Sequence, residues 1–272
     1  MSGPLLTEPV HDALLEAARR DAGKADVSLD LGRSKVSVDV ASGGWSWRGH
    51  DYPFLERCRD RTIYFWDGAA FQPVQRYSGS LIKLVPTSWG PPTFEIDGIK
   101  MLPTAKVSPW EDARRKAALV HPKGKVVLDC CGGLGYFAAA CIEQGAARIL
   151  SFEKNPDVLW LRTLNPWSPA AGGVLELREG DAAGEIARLP AQSVDAILHD
   201  PPRFGIAGEL YSQAFYDQFA RVLRRGGRLF HYTGSPNKLT SGRDMPAEVA
   251  KRLRRAGFDA KPEGDGVLAV KR

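Results

Sequence analysis

The chain has 272 residues, 43% of them hydrophobic, and a formal net charge of +5. This length allows one large domain or a medium and a small one, each with its own core, and it excludes a disulfide-stapled miniprotein. No apolar run is long enough to cross a bilayer and no signal peptide is recognisable. We therefore expect a cytoplasmic protein with no membrane partner.

The charge is unevenly distributed along the chain. Residues 1–100 hold 12 basic and 13 acidic side chains, whereas residues 101–272 hold 25 and 19. A basic second part fits a polyanionic partner such as RNA, although many basic proteins bind no nucleic acid. The four cysteines lack the spacing of a metal site, so no metal is expected, and two of them are adjacent, which disfavours a structural disulfide.

Residues 1–104 are expected to form a small, mostly β domain. A short helix is predicted over 5–20, and the alternating or aromatic segments after it are separated by Gly, Pro and Asp turns. Four of the seven tryptophans lie here, which fits either the core of a small domain or base stacking. We expect the domain to select the substrate or to form a dimer, and the oligomeric state is left open.

Residues 105–272 alternate strands with helices, which predicts an α/β domain. The predicted strands are 125–130, 148–154, 174–181, 193–200, 228–234 and 266–272. The predicted helices are 108–120, 136–145, 157–165, 210–223 and 246–258. This order is typical of a Rossmann-like, doubly wound and mostly parallel sheet. We expect seven strands in that sheet, one more than the six that the pattern marks.

Acidic residues end several of the predicted strands. The first strand runs into LDCCGGLG (128–135), and later strands end at Glu153, Asp181 and Asp200. Because ligands bind at the carboxyl ends of parallel strands, these acids are expected to line one cleft. The glycines allow close approach of a ligand, and Glu153 is spaced to hold the ribose diol of NAD or of another adenosine cofactor.

The form of the glycine-rich turn separates these cofactors. A G-x-G-x-x-G turn accommodates a pyrophosphate, whereas Asp129 opens this turn, where its carboxylate repels phosphate and suits an ammonium group. In this feature and in the order of its motifs, the chain resembles the class I S-adenosylmethionine-dependent methyltransferases over roughly residues 105–272. The resemblance implies their fold and S-adenosylmethionine as the cofactor.

The same resemblance implies which residues hold the methionine part of the cofactor. They are Asp129 and the backbone of Cys131, Gly133 and Gly135. Cys131 stands where many members of the superfamily have glycine, and its small side chain is compatible with the same turn.

Five further residues complete the assigned cofactor site. Glu153 would hold the ribose, and Asp181 and the Ala182 amide would contact the adenine. Tyr136 and Lys154 adjoin these motifs and are assigned to the same site.

HDPPRF (199–204), NPW (165–167) and PWED (109–112) narrow the resemblance. They are similar to motifs in a group of predicted methyltransferases best known from archaea. That group carries the same kind of small N-terminal β domain, so the resemblance implies a similar domain here.

The DPP segment suggests how a methyl acceptor is held. An acid side chain and a proline-fixed carbonyl are both acceptors, and they can align an N–H nucleophile. Asp200, Pro201 and Pro202 resemble the Asn/Asp-Pro-Pro-aromatic motif of methyltransferases that act on exocyclic base nitrogens, and with Phe204 they form the assigned catalytic set. Arg203 occupies the aromatic position, and Phe204 follows one residue later.

Two residues are assigned to the substrate, Arg203 and Tyr211. Arg203 would pair with a phosphate or carboxylate, or form a salt bridge at the rim of the cleft. No cysteine follows Asp200, which disfavours methylation at pyrimidine C5 because that reaction needs a thiolate nucleophile. Strand alternation turns His199 away from the Asp200 face, so His199 is expected in the core.

The leading interpretation is N-methylation of a base in structured RNA, such as rRNA or tRNA, with the acceptor amine oriented by Asp200 and the Pro201 carbonyl. The basic clusters 221–228 and 251–255 would then contact the RNA backbone, or else form solvated faces. One alternative is an aminopropyltransferase, because residues 208–227 also resemble spermidine synthases. Others are a methyltransferase acting on a small-molecule amine or a protein, and a binding module without turnover.

Overall fold

The computed structural model describes residues 3–202, 207–234 and 244–272. The chain forms two compact units. The first comprises Met1–Pro109 with Trp160–Trp167, and the second comprises Trp110–Leu159 with Ser168–Arg272. No helix within the described ranges combines the length and apolar character needed to span a bilayer.

The first unit is built mainly from short antiparallel strands around helix α1 (Glu8–Arg19). The strands are β1 (Leu5–Leu6), β2 (Lys24–Val27), β3 (Val36–Ala41), β4 (Gly44–Trp47), β5 (His50–Tyr52), β6 (Tyr64–Trp66), β7 (Phe71–Pro73), β8 (Gln75–Tyr77), β9 (Leu81–Val85), β10 (Thr93–Ile96) and β11 (Ile99–Lys100). They form sheets with the orders β1-β6-β7, β2-β3-β4-β5 and β8-β9-β10-β11.

Aromatic side chains fill the core of this unit. The Trp45 ring is buried and stacks on Tyr52 with 4.5 Å between ring centroids, and Phe71 packs beside both. Trp89, in contrast, is half exposed and donates from Nε1 to the Thr104 carbonyl at 2.9 Å. Trp45 therefore belongs to the core alternative, and its ring is closed to a stacking base.

The remaining elements follow one another as alternating strands and helices. The strands are β12 (Val126–Asp129), β13 (Arg148–Glu153), β14 (Leu175–Glu179), β15 (Val194–His199), β16 (Leu223–Tyr232), β17 (Phe258–Glu263) and β18 (Gly266–Lys271). The helices are α2 (Pro109–Val120), α3 (Tyr136–Glu143), α4 (Pro156–Leu164), α5 (Ala182–Arg188), α6 (Gln213–Val222) and α7 (Met245–Arg255), and a 3₁₀ turn covers Gly208–Tyr211.

Strands β12 to β18 form one sheet of seven strands among the described residues, in the order β14-β13-β12-β15-β16-β18-β17. The pairs from β14 to β16 are parallel, while β18 pairs antiparallel with both β16 and β17. The predicted α/β fold with a mostly parallel, doubly wound sheet is confirmed.

Two elements of this unit were not predicted. The predicted helix 246–258 ends at Arg255, because Gly257 adopts a left-handed φ of +96°, and strand β17 follows it. Lys261 and Pro262 are uncommon in strands, so β17 has little sequence signal. Helix α5 has only seven residues, too few to show a helical period.

The sheet order brings two loops to the same edge of the sheet. Strand β12 lies between β13 and β15, so the order reverses at β12. Asp129 on β12 is paired with Leu198 on β15, and the Cys130 amide donates to the Leu198 carbonyl at 3.1 Å. The glycine-rich turn and the DPP segment therefore leave adjacent parallel strands at their carboxyl ends, where ligands bind in such sheets.

Candidate active site

The glycine-rich turn after β12 is fixed by backbone hydrogen bonds. The Gly132 amide donates to the Phe152 carbonyl at 2.8 Å, and the Gly135 amide donates to the Gly132 carbonyl at 2.7 Å. Gly133 and Gly135 both have left-handed φ values, +48° and +80°. The value at Gly135 lies beyond the +48° to +56° that residues with a Cβ adopt elsewhere in the described chain, so this position favours glycine. Helix α3 begins directly after it at Tyr136.

Asp129 ends β12 as a buried acid. It is 1% exposed, and its Oδ2 accepts a hydrogen bond from Ser151 Oγ at 2.8 Å on the neighbouring strand β13. Asp129 is therefore oriented by the sheet itself. The strand pattern made its position predictable, but its serine partner lies 22 residues along the chain.

Glu153, at the end of β13, is held by two backbone amides. Its Oε2 accepts from the Gly133 amide at 3.0 Å, and its Oε1 accepts from the Asn155 amide at 2.9 Å. A carboxylate has about four lone-pair positions, so one acid can accept hydrogen bonds from backbone amides and from a ligand diol together. One acid thereby joins the end of β13 to the glycine-rich turn.

The other assigned cofactor residues lie at neighbouring strand ends or at the starts of helices. Asp181 is exposed, precedes α5 and makes no side-chain capping bond to that helix. Ala182 is buried, and Lys154 is exposed. Tyr136 is buried, with its ring edge-on to Trp110 at 6.0 Å between centroids. Tyr136 therefore packs within the second unit.

These residues fit S-adenosylmethionine better than a dinucleotide. Asp129, Glu153 and Asp181 end three neighbouring strands or the loops after them, which suits a ligand with ammonium and sulfonium charges. The carboxylates of Glu153 and Asp181 can also accept hydrogen bonds from a ribose diol and from an exocyclic amine. A pyrophosphate would instead meet the carboxylate of Asp129 at the start of the turn.

A buried lysine that we did not predict lies beside Asp200. Lys116 Nζ, on α2, is 2.8 Å from Asp200 Oδ2 and 2.9 Å from Asp112 Oδ2. It also lies 4.0 Å from the centroid of the Tyr232 ring. Burial alone would lower the pKa of Lys116, but the carboxylates of Asp200 and Asp112 outweigh it and raise the pKa above its usual value. Lys116 is therefore a fixed cation.

A signal for Lys116 was present in the sequence. Asp112 and Lys116 are four residues apart, and they share the face of α2 that carries the buried residues Ala113, Ala117 and Val120. Charges four apart normally form a solvated pair, but here they lie on the apolar face. An ion pair on the buried face of a helix points to a third charged group in the fold, which is Asp200.

The DPP segment is braced by Tyr211. The Tyr211 hydroxyl donates to the Pro202 carbonyl at 3.1 Å, and the ring is 4% exposed. Pro201 is buried. Tyr211, assigned to the substrate from sequence, thus contacts the loop that carries Asp200. The other assigned residues of this loop, Arg203 and Phe204, lie outside the described residues.

His199 and His231 lie on adjacent strands and are completely buried. His199 Nε2 is 3.0 Å from the Leu210 carbonyl, whereas His231 bonds to the Tyr216 hydroxyl at 3.0 Å and the Tyr232 carbonyl at 2.8 Å. Burial lowers the pKa of both, to about 4 for His231. Both are neutral core residues near pH 7, and the strand alternation predicted the burial of His199. The expected full set of hydrogen bonds is not found, because His199 Nδ1 has no partner among the described residues.

The thiols at the cofactor end are not activated as nucleophiles. Burial raises the pKa of Cys130 and of Cys131, and the nearby carboxylates raise it further. A thiol with a raised pKa holds little thiolate at neutral pH. This agrees with the sequence argument against methylation at pyrimidine C5.

Many arginines in the two basic clusters bind backbone carbonyls. The Arg221 guanidinium donates to the carbonyls of Leu189 at 2.6 Å and Ile186 at 2.8 Å, at the end of α5. Other arginines that donate to carbonyls are Arg224, Arg228, Arg252 and Arg254. These bonds link neighbouring elements of the second unit. Arg224 and Arg254 are exposed as well as bonded, and Arg225, Lys251 and Arg255 are also exposed.

Comparisons with solved structures support the fold. A spermidine synthase in complex with the transition-state analogue AdoDATO is 16% identical with a TM-score of 0.57, covering 72% of this chain and 71% of that chain. MNMC2 from Aquifex aeolicus is 19% identical with a TM-score of 0.52, over the same shares of the two chains. At these identities the likeness concerns the fold alone.

Sequence comparison identifies a much nearer relative. No protein-family model matches the chain. The uncharacterized protein MJ1233 of Methanocaldococcus jannaschii is 45% identical over 272 residues, covering 97% of this chain and 86% of the relative. The chain therefore belongs to the same family as MJ1233.

Proposed function

We propose that the chain is an S-adenosylmethionine-dependent methyltransferase that acts on a nitrogen bearing hydrogen, specifically a base nitrogen in structured RNA. The observation that carries the proposal is the Asp200 carboxylate. Asp200 follows strand β15, which pairs with the strand that leads into the glycine-rich turn. Its negative charge helps to raise the pKa of Cys131 in that turn, and Lys116 binds its Oδ2.

In this proposal, residues on one side of the cleft bind the cofactor and residues on the other side orient the methyl acceptor. On the cofactor side, Asp129 and the glycine-rich turn would hold the methionine part, Glu153 the ribose, and Asp181 with the Ala182 amide the adenine. When bound, S-adenosylmethionine supplies the methyl group, which forms a C–N bond with the acceptor lone pair as the C–S bond breaks, leaving S-adenosylhomocysteine and one proton.

On the acceptor side, Asp200 and the Pro201 carbonyl would accept hydrogen bonds from the acceptor nitrogen and turn its lone pair toward the methyl group. Lys116 donates to Oδ2 of Asp200, and no hydrogen bond joins Oδ1 to a described residue, so Oδ1 is the oxygen proposed for the methyl acceptor. The Tyr211 bond to Pro202 supports the loop. Alignment of this kind is the main contribution that a protein makes to an in-line transfer.

Positive charge supports RNA as the source of the acceptor. The chain carries a net charge of +5, and the excess lies in residues 101–272. Because Arg221 and several of its neighbours bind carbonyls, exposed residues such as Arg225, Lys251 and Arg255 are the available phosphate contacts of the two clusters. This part of the proposal rests on charge, and the experiment below tests it separately from cofactor binding.

Two measurements test the proposal in sequence. Calorimetry with S-adenosylmethionine and with its decarboxylated form decides between methyl and aminopropyl transfer, and preference for the decarboxylated form would contradict the proposal. Mass spectrometry then compares modified nucleosides of total RNA from strains with and without the gene. Loss of one methylated nucleoside supports RNA, whereas an unchanged profile directs the search to proteins or small amines.

A further inference from the structure

The ion triad Asp112–Lys116–Asp200 is unusual because its central cation is buried. Lys116 and Asp112 are each 5% exposed, and Lys116 Nζ contacts one oxygen of each carboxylate. A buried ammonium is costly to desolvate and persists when its partners compensate for that cost. Tyr232 covers it with an aromatic face. The cation is therefore held in place and screened from water.

The two carboxylates that bind Lys116 lie on different elements. Asp112 lies on α2, as Lys116 does, whereas Asp200 follows strand β15. Asp200 Oδ1 is thus the carboxylate oxygen left for a methyl acceptor, while the ammonium of Lys116 lies at Oδ2 of the same carboxylate. A methyl acceptor whose N–H donates to Oδ1 therefore binds close to the ammonium of Lys116.

A neutral N–H group and a protonated amine interact differently with the ammonium of Lys116. Both gain a hydrogen bond to Oδ1, but Lys116 already offsets part of the negative charge of the half-buried Asp200 carboxylate, so an ammonium gains less attraction there than it would at an unpaired carboxylate. The ammonium of Lys116 and a second ammonium on the same carboxylate also repel each other, and proteins use such like-charge contacts to disfavour ligands. An uncharged amine or amide nitrogen, as in a nucleobase, avoids this repulsion.

We propose that Lys116 is a specificity-determining residue that adapts the Asp200 subsite to an uncharged N–H acceptor and against a protonated amine. The inference rests on the proposed methyltransferase function and deepens it by naming the charge state of the acceptor group. Lys116 acts through Asp200 and is therefore a positioning residue.

Binding of two cofactor analogues to the full chain tests the inference. S-adenosylhomocysteine carries a neutral thioether at the transfer position, and sinefungin carries a protonated amine there. We expect Lys116→Met to increase the preference for sinefungin over S-adenosylhomocysteine about tenfold, because the Asp200 carboxylate, which the proposed function puts at the acceptor side, is then no longer offset by an ammonium. Calorimetric dissociation constants of both ligands for each variant give this ratio.

Matched variants separate charge from structure. Lys116→Arg keeps the cation and should keep the wild-type ratio, and Arg115→Met removes the exposed cation next in the chain and should leave the ratio unchanged. If Lys116→Met does not fold, as judged by circular dichroism, Lys116→Met combined with Asp112→Asn removes the ion pair as a unit and is expected to shift the ratio in the same direction.

The outcomes distinguish the two proposals. If the wild-type protein binds neither analogue, the proposed function fails. If it binds both and the ratio is the same in a folded variant without Lys116, the proposed function stands and the role of Lys116 is wrong. The inference is supported if the preference for sinefungin increases in Lys116→Met and stays at the wild-type value in Lys116→Arg.

Discussion

Ser151 Oγ donates a hydrogen bond to Asp129 Oδ2 at 2.8 Å between two adjacent parallel strands, and both residues are inaccessible to solvent. The hydroxyl compensates part of the cost of burying a carboxylate at the start of the glycine-rich turn. This bond links the sheet to the methionine end of the proposed cofactor site.

Replacing Ser151 with alanine should therefore affect both folding and cofactor binding. We expect Ser151→Ala to lower the free energy of unfolding by about 1–3 kcal/mol, because a buried charged acceptor loses a donor. Weaker binding of S-adenosylmethionine should accompany it, and urea titration with calorimetry measures both. Ser193→Ala is the control, since the buried Ser193 hydroxyl has no partner among the described residues and its removal should be nearly neutral.

Glu153→Gln should weaken S-adenosylmethionine binding about tenfold or more. The amide removes the negative charge and one acceptor oxygen, so it cannot hold Gly133, Asn155 and a ribose diol together. Glu179→Gln, at the exposed end of the neighbouring strand β14, should bind like the wild type. Equal dissociation constants for all three proteins would remove Glu153 from the cofactor site.

Tyr211→Phe should slow methyl transfer while S-adenosylmethionine affinity stays near the wild-type value. The substitution removes the hydroxyl that donates to the Pro202 carbonyl, at a stability cost of about 1 kcal/mol. Once an acceptor is known, kcat and the calorimetric dissociation constant are compared for both proteins. A change confined to affinity would instead place Tyr211 at the cofactor.

The buried histidines should make stability depend on pH. The native pKa of His231 is about 4, below the unfolded value, so the unfolded chain binds the proton first as pH falls. This favours unfolding progressively from about pH 6.5 down to about pH 4, and His199 acts in the same direction. We expect a loss of about 2 kcal/mol between pH 7 and pH 5 from His231.

Urea titrations at both pH values test this, with the His231→Phe and Tyr216→Phe double variant removing the histidine and its hydroxyl partner together. The difference between the two pH values should shrink in that variant. His50→Gln, which alters an exposed histidine of the first unit, should keep the wild-type pH dependence. An unchanged slope in the double variant would show that other groups cause it.

Arg221→Met should destabilise the second unit by about 2 kcal/mol, because the carbonyls of Ile186 and Leu189 lose a charged donor. Arg225→Met, four residues later in the same basic cluster and exposed, should not alter the unfolding midpoint. Thermal unfolding of the two variants measures this difference. Equal midpoints would mean that Arg221 is as dispensable for stability as a surface arginine.

The strand-end acids could be predicted because each one ends a recognisable hydrophobic strand. Asp129, Glu153 and Asp200 follow apolar runs, and a parallel sheet brings such ends together. Lys116 carries only the weaker signal of a charged pair on the apolar face of α2, and its partner Asp200, 84 residues away, is set by packing. Arg221 and Tyr211 likewise have ordinary sequences around them, and their bonds to carbonyls come from tertiary structure.

The two outer strands of the seven-stranded sheet also bear on self-association. Strand β17 carries Pro262, which has no amide hydrogen, between the ion-paired Lys261 and Glu263, and β14 carries Glu176 and Arg178. Proline and charged residues on outer strands prevent edge-to-edge pairing. Two copies of this protein are therefore not expected to join their sheets into one continuous sheet, and any dimer would form through another surface.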